Sequence, residues 1–190
     1  MPAIRIISGS RNPEGQTARA IDALARGIGN AKGIVDTTFL PEKRIERCRQ
    51  CEADGWGICR DGSGCVIDDD LQSVVDSIVQ ADGVVFATPV YFSDMSESLR
   101  AFLDRFRRFA FKGGGSQGIT AKPALLLCVA GGGGGGAPLC LIQMEKITST
   151  IGFSVRDAIP VRRQNLERKA GILEQTGRWF SDECASFTAL

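Results

Sequence analysis

Residues 65–106 read CVIDDDLQSVVDSIVQADGVVFATPVYFSDMSESLRAFLDRF, and this stretch decides the fold. Leu71, Val74, Val75, Ile78 and Val79 recur at helical spacing, with Asp68, Asp69 and Asp70 supplying acids at the helix N-terminus. DGVVFATPV (82–90) follows as an apolar run of strand length, as a strand buried on both faces requires. Leu99, Phe102, Leu103 and Phe106 then resume the helical period, and Asp94 and Glu97 are spaced as a capping box. Helix, buried strand and helix in immediate succession are the mark of a parallel sheet with crossover helices.

The same alternation extends in both directions. Upstream lie a strand AIRIIS (3–8), a helix marked by Ile21, Leu24, Ala25 and Ile28, and a strand IVDTTFL (34–40). Downstream come a strand KPALLLCVA (122–130), a helix from about Pro138, a strand FSVRDAIPV (153–161) and a helix from about Asn165 to Cys184. Five such units predict an α/β fold: one doubly wound domain over 1–190, a three-layer sandwich with helices on both faces of a parallel sheet. Its ligand site belongs at the carboxyl ends of the strands. One long insertion, about 41–67, separates the second strand from its helix and holds four of the seven cysteines.

Composition narrows the chemistry. A net charge of +1 argues against broad affinity for nucleic acid or an anionic membrane surface. The chain has no histidine, which excludes Ser-His-Asp and Cys-His machinery, HExxH zinc sites and two-His iron sites. The start MPAIRIISGSR lacks a basic region followed by a long apolar block, so a cytoplasmic location is expected. There, cysteines read as thiols or metal ligands before disulfides. The uncharged window 123–143 is too rich in glycine and proline for a membrane span.

Three loops fall at the expected edge. SGSRNPEGQT (8–17) runs into a helix N-terminus, where free N–H groups suit a phosphate, although a polar turn that merely caps the helix is equally open. It is not a P-loop, because Gln16 stands where the lysine belongs. Nor does it suit a phosphorylated receiver domain, since Ser8-Gly9 and Thr88 occupy the positions of the required acids. TPVYFSDMS (88–96) brings an aromatic and apolar surface to the edge, or simply packs Tyr91 and Phe92 into the core. The third loop is six glycines, Gly131 to Gly136. They match GxGxxG, with Asp157 placed like a ribose-binding acid, but six glycines match any glycine pattern. A flexible linker is out of place between a strand and its helix. A run without Cβ atoms instead lets a large flat ligand approach the backbone and bond its N–H groups.

Together these loops resemble the NAD(P)H-dependent FMN reductase and iron–sulfur flavoprotein family of the flavodoxin-like superfamily, from the first strand to about residue 140. SGSRNPEGQT looks like the family's phosphate loop, and 65–106 is close to its most characteristic stretch. The resemblance implies strand order 2-1-3-4-5 and an FMN site. Ser8, Ser10, Arg11, Gln16 and Thr17 would hold the phosphate; Pro89, Val90, Tyr91 and Phe92 would lie along one edge and face of the isoalloxazine; Gly131, Gly132, Gly133 and Gly134 would meet the ring from the other side. It also implies NAD(P)H as co-substrate, a small acceptor such as a quinone or free flavin, and a homodimer or homotetramer. Hydride transfer to a flavin needs no side-chain acid or base, which accords with the missing histidines. The chain departs from the family in Asn12-Pro13, which shifts the family's proline, and in the length of its glycine run.

Four cysteines fall within the insertion, spaced Cys48-x2-Cys51-x7-Cys59-x5-Cys65. They are candidate ligands for a [4Fe–4S] cluster or a zinc ion, or they are free thiols or a thiol pair. The family's iron–sulfur members place the third cysteine two residues after the second, whereas EADGWGI intervenes here, which favours free thiols over a cluster and a cluster over zinc. Trp56 reads as a flavin cover, a subunit contact or a loop anchor. Cys128, Cys140 and Cys184 read as buried small hydrophobes; the basic RFRRFAFK (105–112) reads as the solvated end of the third helix in preference to a site for an NADP phosphate or a partner. Three functions compete: an FMN-dependent oxidoreductase fed by NAD(P)H, an electron carrier pairing FMN with a cluster, and a non-enzymatic flavodoxin-like module whose thiols sense oxidants or metal.

Overall fold

The computed structural model describes residues 1–112 and 118–187, excluding the side chains at 109, 111 and 112. Five parallel strands, β1 (Ala3–Ser8), β2 (Ile34–Phe39), β3 (Gly83–Pro89), β4 (Pro123–Ala130) and β5 (Ser154–Arg162), form one sheet in the order β2-β1-β3-β4-β5. The helices are α1 (Gln16–Asn30), α2 (Leu71–Gln80), α3 (Glu97–Lys112), α4 (Ala137–Ile151) and α5 (Leu166–Ser186). The expected α/β order is therefore observed, with strand ends shifted by a residue or so.

The apolar runs are continuous because both faces of the sheet are covered. Ile6, Val85, Leu125 and Leu127 pack with Leu24 of α1 and Phe180 of α5. Their neighbours Ile7, Phe86 and Leu126 point the opposite way, onto Leu99 and Phe102 of α3 and Met144 of α4. Every residue of β4 is buried, whereas Ile34 on edge strand β2 is half exposed. Helices α1 and α5 touch backbone to backbone: a Cβ on Gly27 would fall 1.9 Å from the Glu174 carbonyl oxygen. Lys122 is buried beneath α2, where its ammonium group donates to the carbonyls of Val79 and Ala81. Burial there lowers its pKa.

Two local expectations are corrected. The α3 cap is Ser96, whose Oγ accepts the Leu99 N–H at 3.4 Å. Asp94 instead accepts the Met95 N–H at 2.7 Å and pairs with Arg100 at 2.6 Å. The basic segment at the end of α3 is not simply solvated. Arg105 is 1% exposed and Phe106 fully buried, while the side chain of Lys112 lies outside the described residues. Among the described residues no helix is long and apolar enough to cross a membrane.

Candidate functional site

The carboxyl ends of the three central strands, β1, β3 and β4, carry the three loops, and hydrogen bonds weld them together. Leaving β1, the Gly9 N–H donates to the Ala87 carbonyl at 2.8 Å. A Cβ on Gly9 would stand 2.2 Å from Ser96 Oγ, so this loop lies against the start of α3. Ser98 Oγ donates to the Gly9 carbonyl at 3.1 Å, and the Ser96 N–H donates to Thr88 Oγ1 at 2.9 Å. Crossing to β4, the Val90 N–H donates to the Val129 carbonyl at 3.0 Å.

The first loop is shaped by its own hydroxyl and amide groups. The Ser10 N–H donates to Ser8 Oγ at 3.2 Å, the Asn12 N–H to Ser10 Oγ at 3.3 Å and the Glu14 N–H to Asn12 Oδ1 at 2.9 Å. Helix α1 then opens at Gln16 with Gly15 at the cap, no side chain bonding its first N–H groups, and no acid in its first turn. Uncapped donors at the positive end of a helix dipole suit an anion. Of the residues assigned to a phosphate, Arg11 and Gln16 are exposed beside this terminus, whereas Ser8, Ser10 and Thr17 are buried. A cleft of about 290 Å³ opens next to the loop on the β2 side, lined by Gly9, Arg11, Pro41, Tyr91 and Ser96 among others. The glycine run does not line it.

The second loop holds a strained tip. Tyr91 and Asp94 exchange both backbone hydrogen bonds at 2.9 Å around Phe92 and Ser93, which have φ of 48° and 67°. Two consecutive left-handed residues without glycine cost energy, and such strain collects at binding sites. Pro89 and Val90 are half-buried at the base, Tyr91 is 45% exposed and faces the cleft, and Phe92 is fully exposed. Neither aromatic is a core residue.

The glycine run divides in two. At Gly131, Gly132, Gly133 and Gly135 a Cβ would meet nothing within 4 Å, so nothing in the chain itself demands glycine for space there. At Gly136, φ is 82° and a Cβ would fall 2.8 Å from Ser93 Cα; the run is thus seated directly on the second loop. Gly134, with φ of 79°, is buried beneath Arg162 and Gln164, and its N–H closes a turn onto the Gly131 carbonyl at 2.7 Å. Of the four glycines assigned to the ring, three are open and Gly134 is covered. Open backbone on one loop, an aromatic loop beside it and an anion-suited helix terminus beyond fit a flat, phosphorylated cofactor such as FMN. Gln164, whose Nε2 donates to the Gly132 carbonyl, carries no motif that marks it in the sequence. Applying the strand-end rule to β5 as well would have found it.

All four cysteines of the insertion, Cys48, Cys51, Cys59 and Cys65, line one narrow void of about 20 Å³, together with Arg49, Arg105 and Arg108. All seven cysteines are free. Among the described residues no three His, Cys, Asp or Glu side chains are placed to hold a metal ion. A four-iron cluster takes one thiolate on each iron, and the four thiols match it in donor type, although Arg49 and Arg105 at the same void already pair with Glu46 and Asp69.

Arg105 anchors the insertion. Its guanidinium bonds Asp69 through Nη1 at 2.5 Å and Nη2 at 3.0 Å, and Nη1 also donates to the Glu46 carbonyl at 3.0 Å. Asp69, with a side chain 0% exposed, accepts the N–H groups of Glu46 at 2.8 Å and Leu71 at 3.3 Å. Burial works against the charge on both groups. Burial is the largest single influence on each, yet their mutual hydrogen bonds and attraction, joined by the Glu46 and Leu71 N–H groups on Asp69 and by Cys65 near Arg105, together hold Asp69 below the usual carboxylate pKa and Arg105 above the usual guanidinium value. Of the three readings for Trp56 the packing supports the anchor: Arg108 lies 4.8 Å from its ring centroid and Arg60 5.9 Å. Cys128, Cys140 and Cys184 are buried as expected.

A family model for NADPH-dependent FMN reductases matches residues 2–161. An iron–sulfur flavoprotein of Methanosarcina thermophila is 35% identical over 100 residues, covering 52% of this chain and 49% of that protein. An iron–sulfur flavoprotein of Methanocaldococcus jannaschii is 32% identical over 123 residues, 60% of each chain. The chain thus spans about half to three-fifths of the length of these relatives. Among solved structures, an NAD(P)H:quinone oxidoreductase from Methanothermobacter marburgensis superposes with a TM-score of 0.69 at 16% identity, covering 93% of this chain and 96% of that one. A WrbA-like flavodoxin from Agrobacterium tumefaciens gives 0.60 at 14%, covering 99% and 100%. At such identities the structural likeness establishes the fold, the flavodoxin-like sandwich.

Proposed function

This chain belongs to the NADPH-dependent FMN reductase family, and we propose that it is an FMN-dependent oxidoreductase taking electrons from NAD(P)H and passing them to a small acceptor such as a quinone or a free flavin. The observation that carries this reading is the convergence of an uncapped helix terminus, an exposed aromatic turn and an open glycine face on three hydrogen-bonded loops. FMN, when bound, would supply the redox chemistry between NAD(P)H and the acceptor. The protein's own task is to bind and orient it. The free N–H groups of Gln16 and its neighbours, with the exposed Arg11, would hold the phosphate, while the buried Ser8, Ser10 and Thr17 would shape the loop around it. Tyr91 and the backbone of Pro89 and Val90 would border the ring, and Gly131 to Gly133 would offer N–H donors to its polar edge. There they favour the negative charge that accumulates on reduction. Phe92, bare at its tip, supports assembly as a homodimer or homotetramer in which a neighbouring subunit covers it. The test is NAD(P)H oxidation by FMN-loaded protein with a quinone acceptor. Turnover requiring both FMN and acceptor supports the reading, and its absence despite bound FMN refutes it.

A second reading has its own observation, the four cysteines around one arginine-walled void. Cys48, Cys51, Cys59 and Cys65 would there ligate a [4Fe–4S] cluster, and the protein would carry electrons between it and FMN, like the relatives named iron–sulfur flavoproteins. Anaerobic reconstitution with iron and sulfide decides it: stoichiometric iron with broad visible absorbance supports the cluster, and colourless thiols eliminate it.

A further inference from the structure

The glycine run has six residues without side chains, yet one side chain holds it in place. Gln164 follows β5 and reaches back 32 residues along the chain, where its Nε2 donates to the Gly132 carbonyl at 2.9 Å. The rest of its amide lies across Gly134: an added Cβ there would stand 2.8 Å from Gln164 Oε1. Gly134 leaves the room that Gln164 occupies.

This contact fixes a direction. The carbonyl of Gly132 and the N–H of Gly133 belong to one peptide plane, and no peptide bond in the described chain is cis. In a trans peptide the two groups point opposite ways. Gln164 approaches from β5, on the far side of β4 from β3. With the Gly132 carbonyl turned toward Gln164, the Gly133 N–H points to the opposite side of the same peptide, away from Gln164. Among the described residues that N–H has no hydrogen-bond partner, and Gly133 is exposed. Without Gln164 the peptide is free to flip, since glycine tolerates either orientation.

We propose that Gln164 is a positioning residue of the flavin site: by holding the Gly132 carbonyl it aims the Gly133 N–H at the polar edge of the isoalloxazine. The inference rests on the FMN reading above. An aimed donor acts more strongly on the reduced ring, which carries more negative charge, than on the oxidised ring. Gln164 therefore sets the preference between the two redox states, while the phosphate loop sets affinity for both.

The test compares Gln164→Leu and Gln164→Glu, both of which lack the donor, with the unmodified protein. Dissociation constants are measured anaerobically for oxidised FMN and for dithionite-reduced FMN, and amide hydrogen exchange of 131–136 is followed without FMN. The expected result is about a tenfold loss of affinity for reduced FMN, less than about threefold for oxidised FMN, and faster exchange in the run. Equal losses in both redox states would mean that Gln164 merely supports the fold, and unchanged constants would mean that it does not orient the donor; either overturns the proposal alone. If the unmodified protein binds neither form, the FMN reading itself falls and takes this inference with it.

Discussion

Two glycine-to-alanine changes in the same run should behave in opposite ways. At Gly133 a Cβ meets nothing within 4 Å and φ lies outside the left-handed region, so alanine fits the free chain. Its effect there is to restrict the unfolded state, worth about 0.4–1 kcal/mol of stabilisation. For a chain of this size that raises Tm by roughly 1–4 °C. The same methyl projects into the open face assigned to the ring and should weaken FMN binding by about tenfold or more, because an overpacked contact costs about 1–3 kcal/mol. At Gly136 the methyl falls 2.8 Å from Ser93 Cα, and φ is 82°. Left-handed strain of roughly 1–2 kcal/mol adds to the clash, so Gly136→Ala should lower Tm by about 3–8 °C even without ligand. Thermal melts of both variants, with and without FMN, read all four quantities. A Gly133→Ala protein that melts as expected yet binds FMN as tightly as the parent would refute the open glycine face as the cofactor platform.

The anchor of the cysteine insertion makes a second prediction. Arg105→Met leaves the Asp69 carboxylate buried without its cation, at a cost of about 3–5 kcal/mol, whereas Arg107→Ala, at a half-exposed pair, should change stability by under about 1 kcal/mol; urea denaturation compares them. Because Asp69 is held below its unfolded pKa, its contribution is complete above the unfolded value of about 4 and is lost as pH falls through the depressed native one. The Arg105→Met penalty should accordingly shrink on acidification. Timed alkylation followed by mass spectrometry should show Cys48, Cys51, Cys59 and Cys65 labelled well before Cys128, Cys140 and Cys184. Burial pushes Cys184 up to about 12, and labelling of all seven at one rate would contradict the packing.

The strands were legible because β3 and β4 are covered on both faces, and a run such as PALLLCVA admits few other readings. The cap of α3 was misjudged because Asp94 and Ser96 are both good capping residues. In the fold the Asp94 carboxylate pairs with Arg100 and the Met95 N–H, and Ser96 Oγ takes the Leu99 N–H. In sequence Arg105 is indistinguishable from its segment neighbours Arg107 and Arg108. Only the tertiary fold supplies Asp69, 36 residues away, to neutralise it. The residue types of the three loops were visible, but their welding was not, since it depends on groups far apart in the chain: Gly9 on Ser96, Gly136 on Ser93, and Gln164 on Gly132. That the glycine run serves two purposes, seating at Gly136 and openness at Gly131 to Gly133, required coordinates.

The central claim is that the three loops form an FMN site whose phosphate sits at the α1 terminus. Its most direct test is a paired titration of the purified protein with FMN and with riboflavin, followed by flavin fluorescence quenching, before and after Arg11→Ala. The account predicts saturable binding of FMN, markedly weaker binding of riboflavin, and a loss on Arg11→Ala confined to FMN. Equal affinity for the two flavins, or none for either, would contradict it.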